Sequence, residues 1–89
     1  MEELEQAAAL YRCLANTRTS IDAGNLNFNE LEVAAKADLE TAGFTPDYFT
    51  VCRQQDLLPA SAEDKELVII AAAYLGQARL IDNLHFQRL

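Results

Sequence analysis

Side chains able to do chemistry are few in this 89-residue chain: one histidine, His85, two cysteines, Cys13 and Cys52, and fourteen carboxylates. His85, with Asp82 as its nearest acidic neighbour, has the residue type for general acid–base work. A lone histidine beside a chain end is more often a surface or capping residue, and no Ser-His-Asp or Cys-His arrangement assembles around it. Cys13 and Cys52 lack any Cys-x-x-Cys spacing, so they read as two buried or half-buried free thiols in a reducing compartment rather than as metal ligands, with a disulfide as the alternative that nothing in the sequence supports. No Asp-x-Asp-x-Asp-Gly calcium loop occurs, and Asp47, Asp56 and Asp64 lie in or beside loops, where carboxylates form turns. Gly24, Gly43 and Gly76 are isolated, which excludes a glycine-rich phosphate loop. The expected lists of catalytic, cofactor-binding and metal-binding residues are therefore empty.

Composition narrows the partners. Seven basic against fourteen acidic residues give a net charge of −7, the wrong sign for a nucleic acid or an anionic membrane surface. The longest apolar run, Leu67 to Leu75, is far shorter than the roughly 20 residues of a spanning helix. The start Met1-Glu2-Glu3 is unlike a signal peptide, so a cytoplasmic protein is expected. At 51% hydrophobic and 24% charged residues the chain should fold around one modest core.

The elements that would carry these residues follow from periodicity. Leu4, Ala7, Ala8, Tyr11, Leu14 and Ile21 recur at helical spacing and predict a first helix from Leu4 to about Ala23, stopped by Gly24. Glu2, Glu3 and Glu5 favour its positive end, while Thr17, Thr19 and Ser20 weaken its last turns. Asn27 as cap, Glu30 reaching back and a Leu26–Leu31 staple start a second helix, with a stripe of Phe28, Leu31, Ala35, Leu39 and Ala42. Gly43-Phe44 stops it and Pro46 prevents resumption. Residues 47 to 53 predict a strand, with Tyr48, Thr50 and Cys52 on one face and Phe49 and Val51 on the other. Residues 54 to 66 predict a loop containing a helical turn near Asp56 to Leu58. Two aliphatic runs, 67–75 and 78–84, joined at Gly76, predict a hairpin. The Ala71-Ala72-Ala73 run has helical propensity, but Val68-Ile69-Ile70 and the Gly76 turn favour strand.

The segment Ala71-Ala72-Ala73-Tyr74-Leu75-Gly76-Gln77-Ala78-Arg79-Leu80-Ile81-Asp82-Asn83 resembles the Ala-Ala-x-x-Leu-Gly-x-x-Arg-Leu-Ile-Asp-Asn stretch that closes the pantothenate synthetases, or pantoate beta-alanine ligases. Ala9-Leu10-Tyr11 with Leu14, Gly43-Phe44 and Leu57-Leu58 agree with that family in order. Arg53 departs from it, standing where many members carry an acidic residue. The resemblance covers essentially the whole chain and maps it to the family's small C-terminal domain, without the nucleotide-binding catalytic domain. It implies a ligase that activates pantoate with ATP to a pantoyl adenylate, which the amine of beta-alanine attacks to give pantothenate, AMP and pyrophosphate. ATP and magnesium are implied for the full-length enzyme. In that scheme the small domain is a lid that keeps water from a hydrolysable intermediate.

The expectation is thus an α+β fold: two antiparallel helices packed on one face of a three-stranded antiparallel sheet. Leu4, Tyr11, Leu14, Ile21, Leu31 and Leu39 are expected in the core. The expected role is the lid of the ligase, inactive alone, partnered by its own N-terminal catalytic domain and prone to self-associate. The alternative is a free-standing acidic interaction module. Arg79 and Asp82 read either as an anchoring pair or as an edge-strand charge and a turn former. With Asn83 they are where contact to a catalytic domain is first sought.

Overall fold

The computed structural model describes residues 2–88, with side chains from residue 8 onward. Expectations placed on the side chains of Leu4, Ala7, Glu2, Glu3 and Glu5 lie outside the described residues. The chain runs α1 (Glu2–Asp22), α2 (Phe28–Thr41), β1 (Thr45–Arg53), β2 (Glu66–Leu75) and β3 (Ala78–Gln87). The three strands form one antiparallel sheet in the order β1-β2-β3, and the two antiparallel helices cover one of its faces.

Both helices end through the same device. At α1 the Asn25 N–H donates to Ser20 O (3.0 Å) and the Gly24 N–H to Ile21 O (2.9 Å), while Gly24 takes φ +106°. At α2 the Phe44 N–H donates to Leu39 O (2.9 Å) and the Gly43 N–H to Glu40 O (3.0 Å), with Gly43 at φ +99°. These paired bonds satisfy carbonyls left open at a helix end and need a left-handed residue, hence glycine. Phe44 then turns into the core, as the sequence predicts. The start of α2 is also the predicted one: Asn27 Oδ1 accepts the Glu30 N–H at 3.3 Å. The return bond differs, because Asn25 Oδ1 rather than Glu30 takes the Asn27 N–H (3.1 Å).

Two expectations on burial need correction. Tyr11 is 49% exposed, and α1 instead buries Leu10, Cys13, Leu14, Thr17 and Ile21. Leu10 lies four residues before Leu14 and is purely apolar, so the core takes it and leaves the amphipathic tyrosine at the rim. Thr17 tolerates the core because its hydroxyl donates to Cys13 O at 2.9 Å. In α2, Leu31, Ala35 and Leu39 are buried and Phe28 is half-buried, while Ala42, just beyond the helix end, is exposed.

The sheet meets the helices through Phe49 and Val51 of β1, Leu67, Ile69, Ala71 and Ala73 of β2, and Phe86 of β3. Ala71 and Ala73 are small enough for the helices to approach the central strand closely, so the alanine run serves as strand despite its helical propensity. The hairpin turns at Gly76-Gln77, with Gly76 at φ +62° and Leu75 paired to Ala78. β1 begins at Thr45 rather than 47, because Pro46 is tolerated on an edge strand, and the register shifts between Pro46 and Tyr48. β3 runs to Gln87 instead of stopping at 84, held by the buried Phe86. The turn in the following loop closes between Arg53 and Leu57, earlier than predicted, through a Leu57 N–H to Arg53 O bond of 2.9 Å.

Candidate functional site

Antiparallel pairing places cross-strand partners on the same side of a sheet, so the register sorts every strand residue between the helical side and the open side. Three rows cross the open side: Tyr48–Ala72–Ile81, Thr50–Ile70–Asn83 and Cys52–Val68–His85. Tyr74 and Arg79 form a further pair at the hairpin end. None of these eleven residues is a carboxylate, in a chain with fourteen. Exposed Glu30, Asp38 and Glu40 lie on α2 instead. Beyond these rows Glu66, paired with Gln87, brings a carboxylate to the open side, where Arg79 and His85 are the basic side chains. Ile81, 59% exposed, and Tyr74 give the open side an apolar character suited to contact.

Arg79 is positioned at one end of this face. Its guanidinium donates to Asp47 Oδ2 at 2.8 Å and lies 5.9 Å and 6.0 Å from the ring centres of Tyr48 and Tyr74. The bond to Asp47 raises the arginine pKa further above its ordinary value. Arg79 is thus an anchoring residue between the first and last strands. Asn83 shares the open side, whereas Asp82 is paired with Ala71 and lies on the helical side. Arg79, Asp82 and Asn83 therefore do not form one contact surface: a strand's two-residue period separates neighbours.

The remaining candidates stay apart. His85 is exposed on the open side. Cys13, buried under the helices, donates its thiol to Ala35 O at 3.4 Å. Burial, with Asp38 adding to it, pushes the Cys13 thiol pKa up to about 11. Cys52 is a free thiol whose pKa burial and then Glu32 also raise. Both are poor nucleophiles for that reason. Asp56 and Asp64 form turns, as expected: Asp56 Oδ1 accepts the Leu58 N–H at 3.1 Å and Asp64 Oδ2 the Ser61 N–H at 2.9 Å. The side chain of Arg53 pairs with Asp56, which lowers that carboxyl's pKa. Among the described residues no three His, Cys, Asp or Glu side chains converge as a metal site would need. A cleft of about 280 Å³ at the far end of the sheet is lined by Arg53, Lys65, Glu63, Asp64 and Glu66, opposite charges that offset one another.

Some positioning residues have no sequence signal. Gln54 Nε2 donates to Leu67 O (2.8 Å) and Phe86 O (3.2 Å), tying the end of β1 to β2 and β3. Glu32 Oε2 accepts the Val51 N–H at 2.9 Å and so occupies part of the outer edge of β1. Leu57 and Leu58 project from the loop at 55% and 54% exposure, and Leu57 takes φ +61°, uncommon for a branched residue. Only the pairing Leu57-Leu58 between polar neighbours hints at this tip in sequence.

Among families, the profile described as Pantoate-beta-alanine ligase matches residues 1–85. The pantothenate synthetase of Idiomarina loihiensis is 51% identical over 83 residues, which cover 93% of this chain and 29% of that protein. That of Methylococcus capsulatus is 46% identical over 83 residues, again 93% and 29%. A crystal structure of pantothenate synthetase from Thermus thermophilus superposes with a TM-score of 0.74 at 32% identity, covering 85% of this chain and 28% of that one. The chain thus spans less than a third of the length of these relatives.

Proposed function

Because the chain belongs to the pantoate-beta-alanine ligase family, we propose that it is the lid domain of a pantothenate synthetase and that it has no catalysis of its own. The observation that carries this reading is coverage: the similarity runs over 93% of the chain but 29% of the relative. The whole ligase joins pantoate to beta-alanine at the expense of ATP, and the lid's part is to close over the activated acyl intermediate and exclude water.

ATP and magnesium do not fit the residues present. The described residues hold no glycine-rich phosphate loop and no converging carboxylates. The nucleotide, the metal and the reacting groups are assigned to the catalytic portion. What this chain contributes is rigidity: a sheet tied across its strands by Gln54 and by the Arg79–Asp47 pair, with helices packed against a strand of small residues. A rigid body moves as a unit about a hinge, which a closing lid requires.

The test is a transplant. Residues 1–85 replace the matching segment of the Idiomarina ligase, and pantothenate formation is measured in the chimera and in a truncation lacking the segment. The reading expects the chimera to be active and the truncation to lose most of its turnover. Equal turnover with and without the segment would refute a lid role.

A further inference from the structure

The loop that joins β1 to β2 is held in two different ways along its length. Its first half lies along the outer edge of β1: the Arg53 N–H donates to Leu58 O (2.9 Å), the Leu57 N–H to Arg53 O (2.9 Å) and the Ala60 N–H to Val51 O (3.1 Å), and Ala60 packs against the core. Inside the second half, residues 61–65, the bonds are local. Asp64 Oδ2 accepts both the N–H (2.9 Å) and the hydroxyl (3.1 Å) of Ser61, and the Asp64 N–H donates to Ser61 O (3.1 Å). What ties this half to the sheet is Arg88, the residue after the end of β3. Its backbone N–H donates to Lys65 O (2.6 Å), its Nε to Asp64 O (3.1 Å) and its Nη2 to Ala62 O (2.7 Å). Among the described residues no other side chain from outside residues 61–65 bonds to them.

Arginine suits this position. Its planar guanidinium presents N–H donors in a fixed fork that reaches two carbonyls at once, whereas a lysine ammonium is a single point of charge. We propose that Arg88 is a strap: it fixes residues 61–65, and with them the rim of the 280 Å³ cleft they form with Arg53 and Gln87, so that the whole loop moves with the sheet. When the strap lets go, residues 61–65 leave the sheet while residues 53–60 stay on β1. The root of the strap is secure, because Phe86 is 5% exposed in the core and its carbonyl accepts the Gln54 side chain at 3.2 Å. Every bond in the strap lies within the chain, so it holds whatever else the outer surface meets. Arg88 also lies past residue 85, the last that the family profile matches, so membership of the family assigns it no role. The strap is independent of the lid reading.

The sequence supplies its own reporter. The lysines of the chain are Lys36, exposed on α2, and Lys65, exposed in the strapped half of the loop. An endoprotease that cuts only after lysine therefore reads the strap at Lys65 and the rest of the fold at Lys36. The parent chain, Arg88→Ala and Arg88→Lys are digested at low protease concentration, where cleavage follows the population of the open form, and the fragments are timed by mass spectrometry. Arg88→Ala removes two charge-assisted bonds, so cleavage after Lys65 should quicken by about tenfold or more, while cleavage after Lys36 changes by less than about twofold. Arg88→Lys keeps the charge and loses the fork, so it should behave more like Arg88→Ala than like the parent; the extra cut it offers before Leu89 is told apart by mass. A parental rate at Lys65 in Arg88→Ala, equal quickening at Lys65 and Lys36, or parental behaviour in Arg88→Lys overturns the proposal. The lid reading is tested separately, by a chimera that ends at residue 85.

Discussion

Removing the Glu32 carboxylate should loosen the first strand from the second helix by an amount the structure sets. Glu32 Oε2 accepts the Val51 N–H at 2.9 Å across nineteen residues of sequence, and Val51 itself is buried. A hydrogen bond to a charged acceptor contributes about 1.5–3 kcal/mol. In Glu32→Ala water can reach part of the exposed edge, and alanine favours helix by a few tenths of a kcal/mol. The net loss is then about 1.5 kcal/mol, or roughly 6–12 °C in the thermal midpoint of a domain this size. Glu32→Gln keeps a neutral acceptor oxygen and should lose about half as much. The measurement is urea unfolding by circular dichroism, with an unchanged slope expected because the unfolded surface is the same. Glu40→Ala, an exposed glutamate at the end of the same helix, is the control and should shift stability by less than about 0.5 kcal/mol in either direction. A Glu32→Ala protein as stable as the Glu40→Ala control would refute the idea that the carboxylate holds β1.

Other outcomes follow from the same geometry. Gly43→Ala meets no neighbouring atom within 4 Å but must adopt φ +99°, so it should cost about 1 kcal/mol by backbone strain alone, read as a lowered midpoint. Ala73→Leu inserts bulk where the central strand is fully buried and should cost about 1–3 kcal/mol. Because the folded Cys13 thiol titrates near 11 rather than 9.0, its protonated form favours the folded state. That stability is fully present below about pH 9 and lost as pH rises toward 11, so Cys13→Ala should unfold with a flatter alkaline pH dependence than the parent chain. A double-mutant cycle on the exposed Arg79–Asp47 pair should give less than about 1 kcal/mol.

Local signals were legible wherever a residue type is demanded by backbone geometry. The glycines at positions 24, 43 and 76 each take positive φ, and each ends an element where the sequence puts the break. Asn27 caps α2 for an equally local reason. What could not be read depends on tertiary competition. Tyr11 and Leu10 both lie within reach of the α1 stripe, and only packing against the sheet decides that leucine is buried. Pro46 marks a helix stop in sequence, yet it sits inside β1 because that strand lies at an edge. The splitting of Asp82 from Arg79 and Asn83 follows from strand period once the register is known, but the closeness of Arg79 to Asp47 spans thirty-two residues and has no sequence trace. The open face was legible only as alternation, and its carboxylate-free rows between Arg79 and His85 emerge when three strands are laid side by side.

The chain belongs to the pantoate-beta-alanine ligase family, and the proposal that it carries none of the ligase's chemistry has a direct test. The most direct measurement incubates the purified chain with pantoate, beta-alanine, ATP and magnesium, and follows pantothenate and AMP by mass spectrometry. The account expects neither product above the protein-free background. ATP-dependent pantothenate formation by the chain alone would contradict it.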